Sequence, residues 1–152
     1  MTRIDGWENK LETYFLSRKD TPFIWGKTDC CMFVADAIKA ITEVDVGEYF
    51  RDKYTKILPA YALMKAYSNG GSLQETWERI ASDNKMKQVY NKDMLPGDIV
   101  TMKLEGYCNP LAGRLSNGIT VGIQSFAEGV LCQGKEGLVL SLKPEIVSSW
   151  KI

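Results

Sequence analysis

The chain has 152 residues, a length that suits one domain with its own hydrophobic core, and we expect residues 1–152 to form a single domain. Nineteen basic residues balance nineteen acidic ones. Because the chain has no surplus of basic residues, nucleic acid is not expected as a partner. No apolar run is long enough to span a bilayer, and membrane insertion is not expected. The first eight residues lack the apolar stretch of a signal peptide, which predicts synthesis in a cytoplasm without one.

The first half of the chain carries signals for four helices. Apolar residues at helical spacing predict the first, and Thr28 or Asp29 can cap the second. Ser72 and Glu75 form a capping-box pattern at the start of the fourth. The first predicted helix has about four turns and ends at the break at residues 20–22. The other three predicted helices are residues 30–41, 58–67 and 73–81.

The second half changes from helical to strand patterns. Pro96-Gly97-Asp98 predicts a turn that leads into the first strand. Short strands joined by glycine-bearing turns are typical of an antiparallel meander. The predicted strands are residues 99–102, 119–123, 129–132, 138–142 and 147–151. Helices followed by strands predict an α+β domain, with N-terminal helices packed on an antiparallel β-sheet.

The four cysteines stand at positions 30, 31, 108 and 132. Adjacent Cys30 and Cys31 are expected to point to different sides of a regular element, so we predict free thiols rather than a disulfide framework. The chain has no histidine and no Cys-x-x-Cys pair. We therefore expect neither a metal site nor a cofactor.

The stretch from Pro22 to Val34 holds the residues best suited to chemistry. It places Cys30 in the first turn of the second predicted helix, with Asp29 as a candidate cap. Unpaired backbone N–H groups and the helix dipole favour a thiolate there and can receive an oxyanion. The other interpretation is a Cys-Cys pair that only packs an apolar core.

This stretch resembles the nucleophile motif of NlpC-type, papain-like cell-wall peptidases, in which Pro-Tyr-x-Trp-Gly is followed by Asp-Cys-Ser-Gly. The resemblance implies a papain-like fold and makes Cys30 the nucleophile. It also makes Trp25 and Asp29 candidate binding residues. Pro96-Gly97-Asp98 resembles the family's turn into its first strand, which adds Asp98 to the binding candidates.

The family's next strand, His-Val-Gly-Ile, carries the catalytic base and resembles residues 118–122 here. The resemblance puts Ser116 at the position of the histidine and makes its neighbour Asn117 a candidate binding residue. The third, orienting polar residue would fall at Cys132 or Gln133.

A closer resemblance is to a family of small phage and prophage proteins encoded among tail genes and similar to NlpC-type peptidases. The shared patterns are Trp-Gly-x-x-Asp-Cys at residues 25–30, Phe-Val-Ala-Asp at 33–36, Arg-x-x-Tyr at 51–54, a Gly-Leu strand at 137–138 and the Trp-Lys-Ile ending at 150–152. The resemblance implies a virion component at the tail tip. Its partners would be other tail or baseplate proteins.

The departures from the peptidase pattern bear on activity. A cysteine peptidase needs a base for its nucleophile and an acid for the leaving amine, and Ser116 supplies neither near neutral pH. Phe23 replaces the family tyrosine, so a phenol near the nucleophile is expected to be missing. Asp36 is expected to anchor the second helix to the Arg51-x-x-Tyr54 segment.

Three functions follow from these patterns. We predict a tail-tip structural or assembly protein on a degenerate NlpC-type fold, without hydrolase activity, because the chain lacks histidine. The alternative is an active peptidoglycan endopeptidase that cuts stem peptides with Cys30 during DNA entry. A third hypothesis is a transferase or thiol-based binding protein whose cysteine needs no acid.

Overall fold

The computed structural model of the protein describes residues 1–103 and 118–152. In this part of the chain, four α-helices precede a six-stranded antiparallel sheet, which confirms the predicted α+β class. The helices are α1 (Trp7–Arg18), α2 (Cys30–Thr42), α3 (Ile57–Ser68) and α4 (Leu73–Asp83). The strands are β1 (Lys87–Gln88), β2 (Ile99–Lys103), β3 (Ile119–Gln124), β4 (Val130–Gln133), β5 (Leu138–Ser141) and β6 (Ile146–Lys151).

Local capping groups set the ends of the helices close to where the sequence predicts them. Asp29 caps α2 by accepting a hydrogen bond from the Met32 N–H at 3.0 Å. Ser72 and Glu75 form the predicted capping box at the start of α4, with both reciprocal hydrogen bonds present. α3 ends at Asn69, whose left-handed φ of 63° closes the helix.

The sheet has the order β1-β6-β2-β3-β4-β5. Strands β2 to β5 form the predicted meander, but β6 does not continue it. Instead, β6 returns to the opposite edge of β2, where Trp150 pairs with Ile99. Trp150 is buried in the main core, and the burial of this large side chain favours a place beside β2.

Helix α2 packs its apolar face on β3 and forms the centre of the main core. Because side chains alternate along a strand, Ile119, Val121 and Ile123 share one face of β3 and contribute to this core. Each large aliphatic side chain buried here stabilises the fold by roughly 1.5–3 kcal/mol. A smaller core of buried residues covers the other face of the sheet and consists of Val100, Met102, Val130 and Cys132.

Helix α3 is attached to the domain much less firmly than α2. Ala60 is the one residue of α3 that is buried, whereas Leu58 is 69% exposed. The helix packs mainly on α4, which in turn reaches β3. Within the described residues, none of the helices combines the length and apolar character needed to cross a bilayer.

Candidate functional site

A cleft lies between the start of α2, the α3–α4 pair and the first residues of β3, and it holds a cavity of about 60 Å³. Most of its wall is apolar, with side chains such as Phe50 and Ile80. The ionisable groups that line it are the carboxyl of Asp29, the thiols of Cys30 and Cys31, and the phenol of Tyr54. All of them can carry negative charge, and among the described residues that line the cleft there is no lysine or arginine.

The Asp29 carboxylate is the structural centre of this cleft and is only 1% exposed. Its Oδ1 accepts the Met32 N–H at 3.0 Å, which holds the first turn of α2. Its Oδ2 accepts the Gly26 N–H at 2.7 Å and the Tyr54 hydroxyl at 2.6 Å. Burial raises the pKa of Asp29, although these hydrogen bonds act in the opposite direction.

Gly26 makes the close packing around Asp29 possible. Its φ of +72° lies in the left-handed region, and a Cβ atom there would collide with the carbonyl oxygen of Tyr54. The Gly26 carbonyl also accepts the Asp52 N–H at 3.0 Å. The Trp25-Gly26 pair therefore joins the loop before α2 to the segment that carries Tyr54.

The sequence led us to expect that the two adjacent cysteines point to different sides of the helix, and this expectation is wrong. Both line the cleft, and one carboxylate oxygen of Asp29 and the two Sγ atoms all lie within 4.8 Å of one another. Neighbouring residues of a helix differ by about 100° in direction, which is less than the alternation of a strand. A cleft at the helix start can therefore accommodate both thiols.

The thiol pair has unequal members. The hydrogen bond with the Cys30 thiol raises the pKa of Cys31 well above its ordinary value, and burial and the negative charge of Asp29 raise it further. The Trp77 indole acts in the opposite direction but does not outweigh these effects. A thiolate therefore does not form readily at Cys31.

Tyr54 corrects the expectation that no phenol lies near the cysteines. Although Phe23 replaces the family tyrosine, the hydroxyl of Tyr54 reaches the cleft from 24 residues beyond Cys30 and is bonded to Asp29. Burial raises the pKa of Tyr54, with further contributions from the charges of Cys31 and Asp29. The phenol therefore stays protonated and acts as a hydrogen-bond donor.

The structure brings only some of the predicted site residues together. Trp25, Asp29 and Cys30 share the cleft, and the Trp25 ring contacts the Tyr54 ring edge-on at 6.3 Å between centroids. Asp98 lies elsewhere: its fully buried carboxylate accepts hydrogen bonds from Arg3 at 2.6 Å and from the Leu95 N–H at 2.8 Å. It ties the N-terminal segment to the turn before β2.

The two candidates for the orienting residue also lie outside the cleft. Gln133 is buried and donates to the Thr21 carbonyl at 2.8 Å, so it attaches β4 to the end of the α1 region. Cys132 belongs to the small core on the other face of the sheet. Ser116 and Asn117, like Cys108, lie outside the described residues, so their expected place near Cys30 stays a prediction.

Asp36 has the structural role that the sequence predicted. Its carboxylate pairs with Arg51 at 2.8 Å. Arg51 also pairs with Asp45 at 2.9 Å, so it connects α2 to the segment that leads to Tyr54.

The fold and cleft define an α+β protein with a paired-thiol cleft at the start of its central helix. Residues 2–152 match the family described as Domain of unknown function (DUF6950), and the chain belongs to that family. No curated protein matches the sequence.

We predict that Asp29→Asn lowers the free energy of unfolding by about 1–3 kcal/mol, because an amide cannot accept hydrogen bonds at both positions. Tyr54→Phe should lower it by about 1.5–3 kcal/mol through loss of a donor to a charged group. Chemical denaturation measures both. The exposed Asp20→Asn and Tyr90→Phe are matched controls and should stay within about 0.5 kcal/mol of the parent.

We predict that native Cys31 is alkylated slowly at pH 8, since a raised pKa leaves little thiolate at that pH. Its rate should rise steeply as the pH increases toward the folded-state pKa. In denaturant the same residue should react at the ordinary rate of a cysteine thiol. Peptide mapping by mass spectrometry measures the label on Cys31 separately, and equal rates in the native and denatured chain would contradict the raised pKa.

Proposed function

We propose that this chain is a phage or prophage tail-tip assembly protein, built on a degenerate NlpC-type, papain-like fold and without hydrolase activity. The arrangement that supports this proposal is Trp25-Gly26 followed by Asp29-Cys30 at the start of a helix on an antiparallel sheet. The peptidases that the sequence resembles carry this motif at their nucleophile. The cleft would then be an inherited active-site groove.

The lack of a free proton-transfer group among the described residues that line the cleft is the observation that supports the inactive assignment. The chain contains no histidine, and the described residues that line the cleft include no lysine. The Asp29 carboxylate is already used by three donors, and the Tyr54 phenol is bonded to it. Amide cleavage needs a base for the thiol and an acid for the departing nitrogen, and none of these groups is free to act as either.

The position of the missing base can be matched to the strand in two ways. The first match gives Ser116. Matched without a gap, the pattern His-Val-Gly-Ile falls on residues 120–123 and gives Thr120, which borders the cleft. Both residues carry a hydroxyl, which does not accept a proton near neutral pH. Either match therefore supports the inactive assignment.

One observation favours the alternative of an active peptidoglycan endopeptidase. Cys30 occupies the first turn of α2 beside the cavity, where backbone N–H groups favour a thiolate and can stabilise an oxyanion. Under this alternative a second chain would supply the base. The absence of histidine from this chain makes the assembly role the better supported of the two.

We predict that the isolated chain does not hydrolyse peptidoglycan stem peptides above background. Loss of general acid–base catalysis typically lowers a rate by about 10²–10⁴-fold. Release of peptide fragments, followed by chromatography and mass spectrometry, measures cleavage. Cleavage by the parent chain that disappears in Cys30→Ala would overturn the inactive assignment.

The assembly role predicts that the protein is part of the particle. Particles purified after induction of the phage or prophage that carries the gene should contain the chain in a fixed ratio to tail proteins. Quantitative mass spectrometry of intact particles and of detached tails measures this ratio. A chain found in the cell lysate and absent from purified tails would contradict a virion role, whatever the result with stem peptides.

A further inference from the structure

The cleft presents a donor set that the proposed assembly role does not use. Cys30 and Cys31 each offer a sulfur, and both lie close to the Asp29 carboxylate. Beside them, Trp77 is 1% exposed, and among the described residues its buried indole Nε1 has no partner of standard hydrogen-bond geometry. An unsatisfied buried donor is costly, at about 1–3 kcal/mol, and the acceptor beside this one is the sulfur of Cys31, which accepts hydrogen bonds better as a thiolate.

We propose that Cys30 and Cys31 form a two-thiolate binding site for a thiophilic divalent cation, with Zn²⁺ as the natural ligand. The sequence argued against a metal site because the chain has no histidine and no Cys-x-x-Cys pair. The structure adds an observation that the sequence did not give, since both cysteines line the same cavity and their sulfurs lie close to the Asp29 carboxylate. The site is independent of tail assembly and of hydrolysis.

The geometry fits a single ion. Zinc–sulfur bonds are about 2.3 Å long, so two sulfurs on one tetrahedral zinc lie about 3.8 Å apart. The donor atoms of the cluster all lie within 4.8 Å of one another, so rotation of the side chains brings both sulfurs to the ion. The cavity of about 60 Å³ leaves room for water at the remaining positions.

Charge and softness select the class of cation. Two thiolates and the nearby Asp29 carboxylate place up to three negative charges together, and the described cleft lining contains no cationic side chain to balance them. The Asp29 oxygens already accept three hydrogen bonds, so Asp29 contributes its charge and the sulfurs form the bonds to the metal. Thiolate ligands favour Zn²⁺ and Cd²⁺ over Mg²⁺ and Ca²⁺.

Trp77 has a definite role in this site. Its indole and Cys31 line the same part of the cleft, and the two side chains interact. Hydrogen bonds to metal ligands orient them, and their loss typically weakens metal affinity by about 10–100-fold. With a metal bound, the Cys31 sulfur is a full acceptor for the Nε1–H group. Trp77 is therefore a positioning residue for the metal ligand.

The test is titration of the reduced full-length chain with Cd²⁺ alone and with Zn²⁺ alone. Cd²⁺ should produce a thiolate-to-metal charge-transfer band in the ultraviolet that saturates at one ion per chain. Cys30→Ser and Cys31→Ser should each abolish the band or weaken binding by at least about tenfold. Cys132→Ser, which changes a thiol on the other face of the sheet, should bind like the parent.

Trp77→Phe keeps an aromatic ring while removing the N–H group, and we expect binding about 10–100-fold weaker with one ion still bound. Unchanged affinity in this variant would remove Trp77 from the site. Saturation at one ion that survives either Cys30→Ser or Cys31→Ser would overturn the proposal, as would the absence of the band in the parent chain.

A second measurement keeps the proposal testable if a serine variant does not fold. Bound Cd²⁺ should protect Cys30 and Cys31 of the native parent chain from alkylation. Cys132, which is alkylated in a later step in denaturant, is the internal reference. Peptide mapping separates the three residues. Equal alkylation of the pair with and without Cd²⁺, measured at a pH high enough for metal-free Cys31 to react, would overturn the two-thiolate site.

Discussion

The buried carboxylate of Asp29 is the interaction on which the rest of the cleft depends. One side chain holds the first turn of α2, the Trp25-Gly26 loop and the Tyr54 segment through three hydrogen bonds. Removing a carboxylate from water is costly unless several donors compensate it, and here backbone and phenol donors do so. The placement of both thiols follows from this arrangement, because they occupy the helix turn that Asp29 caps.

The same carboxylate limits the chemistry that it positions. The start of a helix favours negative charge, but here the Asp29 carboxylate already lies at the start of α2 and interacts with the helix dipole. The hydrogen bond between the two thiols opposes ionisation of Cys31, and burial and the negative charge of Asp29 oppose it further. Cys31 is therefore well placed but weakly activated, and a cation that binds both sulfurs would relieve the accumulation of negative charge.

Much of the fold could be predicted from the sequence because its signals are local. The capping box at Ser72 and Glu75 and the turn before β2 involve neighbouring residues, and both fall where they were predicted. The position of β6 could not be predicted in this way. Its place beside β2 depends on contacts between residues about fifty positions apart, such as Ile99 and Trp150. Spacing along the chain does not specify which edge of a sheet a later strand joins.

The candidate site shows the same difference between features set by neighbouring residues, which could be predicted, and features set by distant residues, which could not. The place of Cys30 and the cap at Asp29 were predicted because the motif and the helix start lie in one short stretch. Tyr54 and Trp77 were not identified as members of the site, because the packing of distant segments brings them to the cleft. The direction of Cys31 was predicted wrongly because neighbouring residues of a helix differ by only about 100° in direction, so both thiols can face one cleft.

The weak attachment of α3 gives the cleft two walls of very different stability. The wall formed by α2 is continuous with the main core, whereas α3 buries only Ala60. Segments with few buried contacts open locally at a small fraction of the global free energy of unfolding. We therefore expect the cavity to open more readily on the α3 side, while the thiols on α2 keep their positions.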